Sequence, residues 1–353
     1  MLALFVVLTV MHGAPPGRSS PAAPADKVKV VTSLSTYAAI AREIVGDRGD
    51  VTSIGGGYDN PHFVEPKPSF VPALSSADVF VTTGLDLELW VPALLDKANN
   101  PKVTEGGPGY VAAYAGIDLL DVPASYSRSG GDIHVFGNPH IWTGPLNAVQ
   151  IARNILTGLR RVSPQNTDYF VAREKDFEDR LFRSLYGDDL VKLLGGQTLA
   201  DLDKQGKLFD FLTSKQYQGT PLISRLGGWL KEGESFRGRQ MVCYHKEWDY
   251  FSREFQVPCV DYIEPKPGIP PTPSHVQEVI TEMKERHIPV LFAGNYYDRN
   301  QVQEVAARTG AKAVIVPGNV GGAPGVNTYF DLVNVWVSEL ASAFAPAGTS
   351  TNQ

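Results

Sequence analysis

Basic runs are missing from this 353-residue chain, whose formal net charge is −6. Without a cationic stripe to neutralise phosphates, nucleic acid is not expected as a partner. Long apolar runs are missing too. Residues 2–11 are almost wholly apolar, but a bilayer needs roughly 20 such residues. Nothing after residue 26 comes closer, so the chain is expected to be soluble and not membrane-spanning. No HExxH is present, which removes the commonest zinc-protease signature. Histidine is scarce, at seven, and cysteine scarcer, at two.

Hydrophobic residues make up 43% and charged residues 20%, the balance of a globular protein with enough apolar material for full cores. The length allows two domains of ordinary size. The apolar start, followed by a small-residue, proline-rich stretch, suits a secretory signal peptide over residues 1–25, with Ala23-Pro24-Ala25 as the cleavage region. It lacks a basic n-region, and a plain N-terminal tail is the alternative. No cysteine follows the apolar run, which disfavours a lipid anchor. An exported chain could pair Cys243 with Cys259 if their strands are neighbours; two buried free thiols are the other reading.

The rest alternates strand and helix in two similar halves, the pattern of parallel βαβ units. Strands are expected at 27–34, 50–54, 78–84 and 116–122, and again at 240–245, 257–263, 288–294 and 312–318. Helices are expected over 35–46, capped by Ser35, and over 69–77 and 87–98. In the second half they fall over 274–287, opened by a Ser274-x-x-Gln277 capping box, over 301–310, closed by Gly310, and over 328–344. Between the halves, 146–162 has helical spacing. Pro164 breaks it, with Ser163 as the next N-cap. A second helix then runs to about Leu185, roughly 30 Å at 1.5 Å per residue. The expected fold is α/β: two lobes (26–145 and 187–345), each with a mainly parallel four-stranded sheet, joined by a long rigid helical linker (146–186). The tail 346–353 is expected to fray.

Doubly wound sheets bind ligands at the carboxyl ends of their strands, and three histidines fall there. His62 follows the second strand, His140 lies in the loop leaving the first lobe, and His245 ends the first strand of the second lobe. Two of them close the tripeptide Asn-Pro-His, at 60–62 and 138–140. Proline before histidine limits the backbone and so the imidazole. Neutral imidazole suits zinc and other borderline ions, so a cleft between facing lobes would gather three ligands. His275 and His287, at the ends of a helix, have no assigned role.

These segments carry a resemblance. "NPHFVEPKPSFVPALSSADVFVTTGLDLELW" (60–90), "GNPHIWTGPLNAVQIARNI" (137–155) and "YHKEWDYFSREF" (244–255) resemble the three ligand segments of the metal-binding substrate-binding proteins of zinc and manganese ABC importers. The resemblance covers about residues 27–345. It implies two α/β lobes with the metal in the cleft and His62, His140 and His245 as its ligands. It further implies a periplasmic location, and an ABC permease as partner to a monomeric carrier that is not an enzyme. A histidine at the third position looks like the zinc type; manganese, which prefers oxygen, is the less favoured ion.

The chain departs from the family's pattern in three places. The family's fourth ligand is an aspartate after the last strand, where this chain has Asn319. A water, Asp59 or Glu264 could take that corner. Glu65, three residues past His62, is read as a structural acid near the site, with direct ligation as the alternative. His134, six residues before His140, is read as a hydrogen-bonding neighbour, with ligation in the vacant corner as the alternative. The family's Leu-Asp-Pro after the second segment is Thr143-Gly144-Pro145 here, and the long His-rich acidic loop of zinc members is missing from 105–132. A zinc-dependent hydrolase is the reading from a different class, since three histidines and a water also describe a catalytic site.

Overall fold

The computed structural model describes residues 27–123, 134–264, 266 and 269–346. Residues 1–25, where a signal peptide is expected, and the tail beyond Pro346 lie outside the described residues. The first sheet holds β1 (Val28–Thr32), β2 (Gly49–Ser53), β3 (Val79–Thr82) and β4 (Tyr110–Ala112), all parallel, in the order β2-β1-β3-β4. A short antiparallel hairpin follows, β5 (Gln216–Tyr217) with β6 (Thr220–Pro221). The second sheet holds β7 (Met241–Cys243), β8 (Cys259–Tyr262), β9 (Val290–Gly294) and β10 (Lys312–Val316), again parallel, in the order β8-β7-β9-β10. The two sheets share one topology. Strands β3, β7 and β9 are buried along their whole length, as expected of parallel strands covered by helices on both faces.

In the first lobe the helices are α1 (Ser35–Val45), α2 (Val71–Ser75) and α3 (Val91–Ala98). The linker is two helices, α4 (Pro145–Val162) and α5 (Thr167–Tyr186), with a 3-10 turn over Pro164–Asn166 between them. Residues after α5, which sequence patterns could not place, form α6 (Asp188–Leu194), α7 (Gly196–Lys204), α8 (Leu208–Ser214) and α9 (Gly228–Glu232). The second lobe adds α10 (Asp249–Phe255), α11 (Pro273–Glu285), α12 (Arg299–Thr309) and α13 (Tyr329–Phe344).

Several local expectations are corrected. The fourth strand is Tyr110–Ala112, paired in register with Phe80–Thr82, and not 116–122. Gly116 and Asp121 both take positive φ, and the chain between them leaves the sheet for the second lobe, where the Tyr250 hydroxyl accepts from Leu120 N–H at 3.3 Å. Leu34, not Ser35, is the N-cap of α1; Ser35 Oγ instead donates to Val320 O at 2.7 Å, across the lobes. Thr272 caps α11 by accepting from His275 N–H, because Pro273 takes the first helical position ahead of Ser274. Ser163 precedes Pro164 as expected, but its Oγ accepts from the Asn166 side chain and not from a helix N–H. The third helix starts at Val91, later than 87, after positive φ at Gly84, Leu85 and Asp86.

The lobes are not packed independently. One apolar cluster runs from Val30 and Tyr37 through Ile151 and Phe177 of the linker to Trp229, Phe251 and Trp336. The outward face of each sheet has its own smaller cluster, around Phe80 and Leu94 in the first lobe and Val279 and Leu291 in the second. Helix α5 lies against α1 on one side and α7 and α9 on the other. A core this continuous resists hinge motion, since parting the lobes would open close-packed apolar surface.

Two local ties shape the cleft. Cys243 and Cys259 are bonded, with Cα atoms 5.5 Å apart on the neighbouring strands β7 and β8. A cross-link closing a loop of about 15 residues contributes about 3 kcal/mol in the chain-entropy account. At the cleft edge, Gly57 after β2 meets Gly321 and Gly322 after β10. A Cβ at Gly57 would collide with that backbone, so only glycine allows the lobes this approach.

Candidate metal centre

The strand ends deliver four imidazoles, not three, to one point. His62 sits in a 3-10 turn, Pro61–Phe63, after β2. Asn60 Oδ1 accepts from His62 N–H at 3.0 Å, and Trp90 Nε1 donates to Pro61 O at 2.9 Å. His140 enters from the loop before α4, where Thr143 Oγ1 donates to the His140 carbonyl at 2.9 Å and Trp142 lies beside the ring. His245 follows β7 by two residues, in the connection to α10. His134 comes from the loop that leads to His140, held by a turn in which Gly137 N–H donates to His134 O at 3.3 Å.

One ligand atom from each ring lies within 4.8 Å of the others, and all four residues are buried. Ring centroids are 5.0 Å apart for His62 and His140, 5.1 Å for His62 and His134, and 5.2 Å for His140 and His245. The Nε2 atoms of His62 and His140 approach to 2.9 Å. His140 Nδ1 is 2.8 Å from Asn138 Oδ1, and His245 Nδ1 is 3.0 Å from Glu264 O. In both rings Nδ1 faces an oxygen acceptor and therefore carries the proton. That leaves an Nε2 lone pair for an ion.

Burial, then the neighbouring imidazoles, hold His62 and His140 well below the usual histidine range. Both rings are therefore neutral at pH 7 and stay so to lower pH than a free imidazole would. Neutral imidazole is the form that ligates metal. Four imidazole nitrogens at this spacing match the coordination number and ligand type of a closed zinc site.

The other residues singled out from sequence lie off this point. Asp59 is exposed, and its Oδ2 accepts from Gly56 N–H at 2.8 Å. Glu65 is exposed. Glu264 is half-buried and meets His245 through its backbone carbonyl. Asn319 is buried, and its Oδ1 accepts from Thr36 Oγ1 at 2.8 Å, so it ties the second lobe to α1. Sequence reasoning missed two polar residues behind the histidines, Asn138 and Glu247. For Asn138 the repeated Asn-Pro-His was the available signal. Glu247 had none: it is one more charged residue in "HKEWDY", yet it is buried and accepts from Gly294 N–H and the Tyr296 hydroxyl.

Burial pushes Glu247 up to about 8, and burial with the Asp121 carboxyl beside it pushes Asp249 up to about 8. Their folded pKa values are raised, so their contribution to stability is present at low pH and lost as pH rises through about 8. The lowered pKa of buried His62 and His140 opposes this near the unfolded histidine value of about 6.5, so the fall stands alone above about pH 7.5. In chelator-treated protein, stability should therefore fall between about pH 7.5 and 8.5, by at most about 1.4 kcal/mol per pH unit per carboxyl. Urea midpoints across that range check this, and Glu247→Gln should flatten the slope. A stability that rises with pH would show that the buried carboxyls are ionised.

A model of the family described as "Zinc-uptake complex component A periplasmic" (ZnuA) matches residues 30–183 and 223–343. Among curated proteins, the manganese ABC transporter substrate-binding lipoprotein PsaA of Streptococcus mitis is 24% identical over 310 residues, 88% of this chain and 85% of that one. The high-affinity zinc uptake system protein ZnuA of Bacillus subtilis is 22% identical over 295 residues, 82% of this chain and 78% of that one. Among solved structures, a zinc-bound deletion mutant of ZnuA superposes with a TM-score of 0.66 at 20% identity, covering 91% of this chain and 99% of that one. The Mn-bound periplasmic metal binding protein of Candidatus Liberibacter asiaticus gives 0.63 at 18%, covering 91% and 100%. At these identities the structural likeness establishes the fold.

Proposed function

We propose that this chain, which belongs to the zinc-uptake complex component A family, captures zinc through His62, His134, His140 and His245 and delivers it to the membrane permease of an ABC importer. The convergence of four buried imidazoles carries the reading. Relatives named for zinc and for manganese both match, so the choice of ion rests on the donor set. Manganese favours oxygen ligands, and none of the carboxylates Asp59, Glu65 or Glu264 belongs to the cluster of the described residues. Four nitrogens favour zinc. The bonded cysteines suit an oxidising compartment outside the cytoplasm, which supports a periplasmic location. No helix among the described residues is long and apolar enough to cross a membrane.

A hydrolytic role fits the site poorly. Catalytic zinc keeps one position open for water, with three protein ligands, whereas a fourth imidazole here closes the tetrahedron. Native mass spectrometry of chelator-stripped protein offered equal zinc and manganese tests the reading. One zinc per chain is expected, with manganese excluded. Preferential manganese uptake, or no metal at all, would overturn it.

A further inference from the structure

The Asn-Pro-His repeat makes one turn twice: Asn Oδ1 accepts from the histidine N–H at 3.0 Å at both 60–62 and 138–140. The second copy goes further. Asn138 is buried, and its Oδ1 also meets the His140 ring at Nδ1. Its Nδ2 is surrounded by acceptors: Lys246 O at 2.8 Å, Asp121 Oδ2 at 3.1 Å and Asp249 Oδ2 at 3.2 Å. The Tyr250 hydroxyl donates to its carbonyl at 2.6 Å. Reversing the amide would aim its oxygen at the Lys246 carbonyl and its NH2 at the His140 backbone N–H. The orientation is therefore forced, and with it the proton on His140 Nδ1.

Three of these partners, Lys246, Asp249 and Tyr250, lie in the five residues after His245. One amide thus grips a ring from the first lobe and the segment bearing a ring from the second. Asn60 does not do the same for its histidine, since His62 Nδ1 has no hydrogen-bond partner among the described residues.

We infer that Asn138 is a positioning residue that locks His140 with its Nε2 lone pair toward the site and holds the His245 segment against it, so that both lobes present ligand atoms before an ion arrives. The inference rests on the metal-site reading above. Partners that orient a ligating histidine in this way typically change metal affinity 10–100-fold when lost.

The test is the tautomer of His140 in metal-free, 15N-histidine-labelled protein at pH 7.5, read by long-range 1H–15N correlation, alongside zinc affinity by chelator competition. Wild type should show His140 protonated at Nδ1 alone. Asn138→Asp keeps the acceptor toward the His140 ring but sets a third carboxyl against Asp121 and Asp249. It should preserve that tautomer and lose affinity. Asn138→Ala should show mixed tautomers and an affinity loss of about 10–100-fold, while Asn60→Ala, which removes only the matching turn bond, should lose less. A wild-type His140 protonated at Nε2 would overturn the inference without any variant. So would an Asn138→Ala protein with the wild-type tautomer and affinity. If wild type bound no zinc, the proposed function would fall, and the tautomer would still decide the role of Asn138.

Discussion

Alanine at His140 or His245 should lower zinc affinity by roughly 100-fold or more, since loss of a mere neighbour of a ligand already lowers it 10–100-fold. Both residues are almost fully buried, at 1% exposure. Each supplies an Nε2 whose partner nitrogen is committed to an oxygen acceptor. Water entering the vacated space would be a weaker donor and would not restore the held geometry. His134→Ala should have a smaller effect, about tenfold, because a water can take its corner. His287→Ala, on an exposed residue after α11, should leave affinity unchanged. Competition against a fluorescent chelator ranks the four variants. A His134 variant indistinguishable from wild type would reduce the site to three histidines. Undiminished affinity without His140 would show that zinc binds elsewhere.

Zinc should also raise the melting temperature by about 8 °C when free zinc is a thousand times the dissociation constant. Binding to the native state alone then adds about 4 kcal/mol, and for a chain of this size each kcal/mol moves the midpoint by ~2 °C. The gain arises because the ion joins segments far apart in sequence, at 62, 134, 140 and 245, which the unfolded chain does not bring together. Differential scanning calorimetry with zinc and with chelator measures it. An unmoved midpoint would mean that the four rings hold no ion tightly.

Much of this was legible in the sequence because strand and helix periods are strong signals in buried parallel sheets. Seven of the eight strands of the two large sheets and both linker helices lie where apolar runs and Pro164 place them. The fourth strand was misplaced because "GIDLLDV" is as apolar as Tyr110–Ala112. What separates the two is pairing to β3 and the positive φ at Gly116 and Asp121, which are tertiary facts. Caps failed for a related reason. Ser35 has the right chemistry for an N-cap, yet a carbonyl from the other lobe takes its hydroxyl. His62, His140 and His245 stood out at strand ends. The place of His134 depended on how a loop folds back, and the role of Asn138 on acceptors contributed by the opposite lobe. Neither leaves a periodic trace.

The four imidazoles divide unequally: His62, His134 and His140 belong to the first lobe, and His245 alone to the second. Under the proposed function, a local movement of the His245 segment alone would therefore break one coordinate bond in four. The ion would stay with the first lobe, three-coordinate, with its empty position facing the gap just opened. A donor atom from an acceptor protein could enter that position before any other ligand left. Under the proposed function, transfer would then be an associative ligand exchange that begins at His245, and the tightness of the closed site would set no floor on how fast the metal moves on.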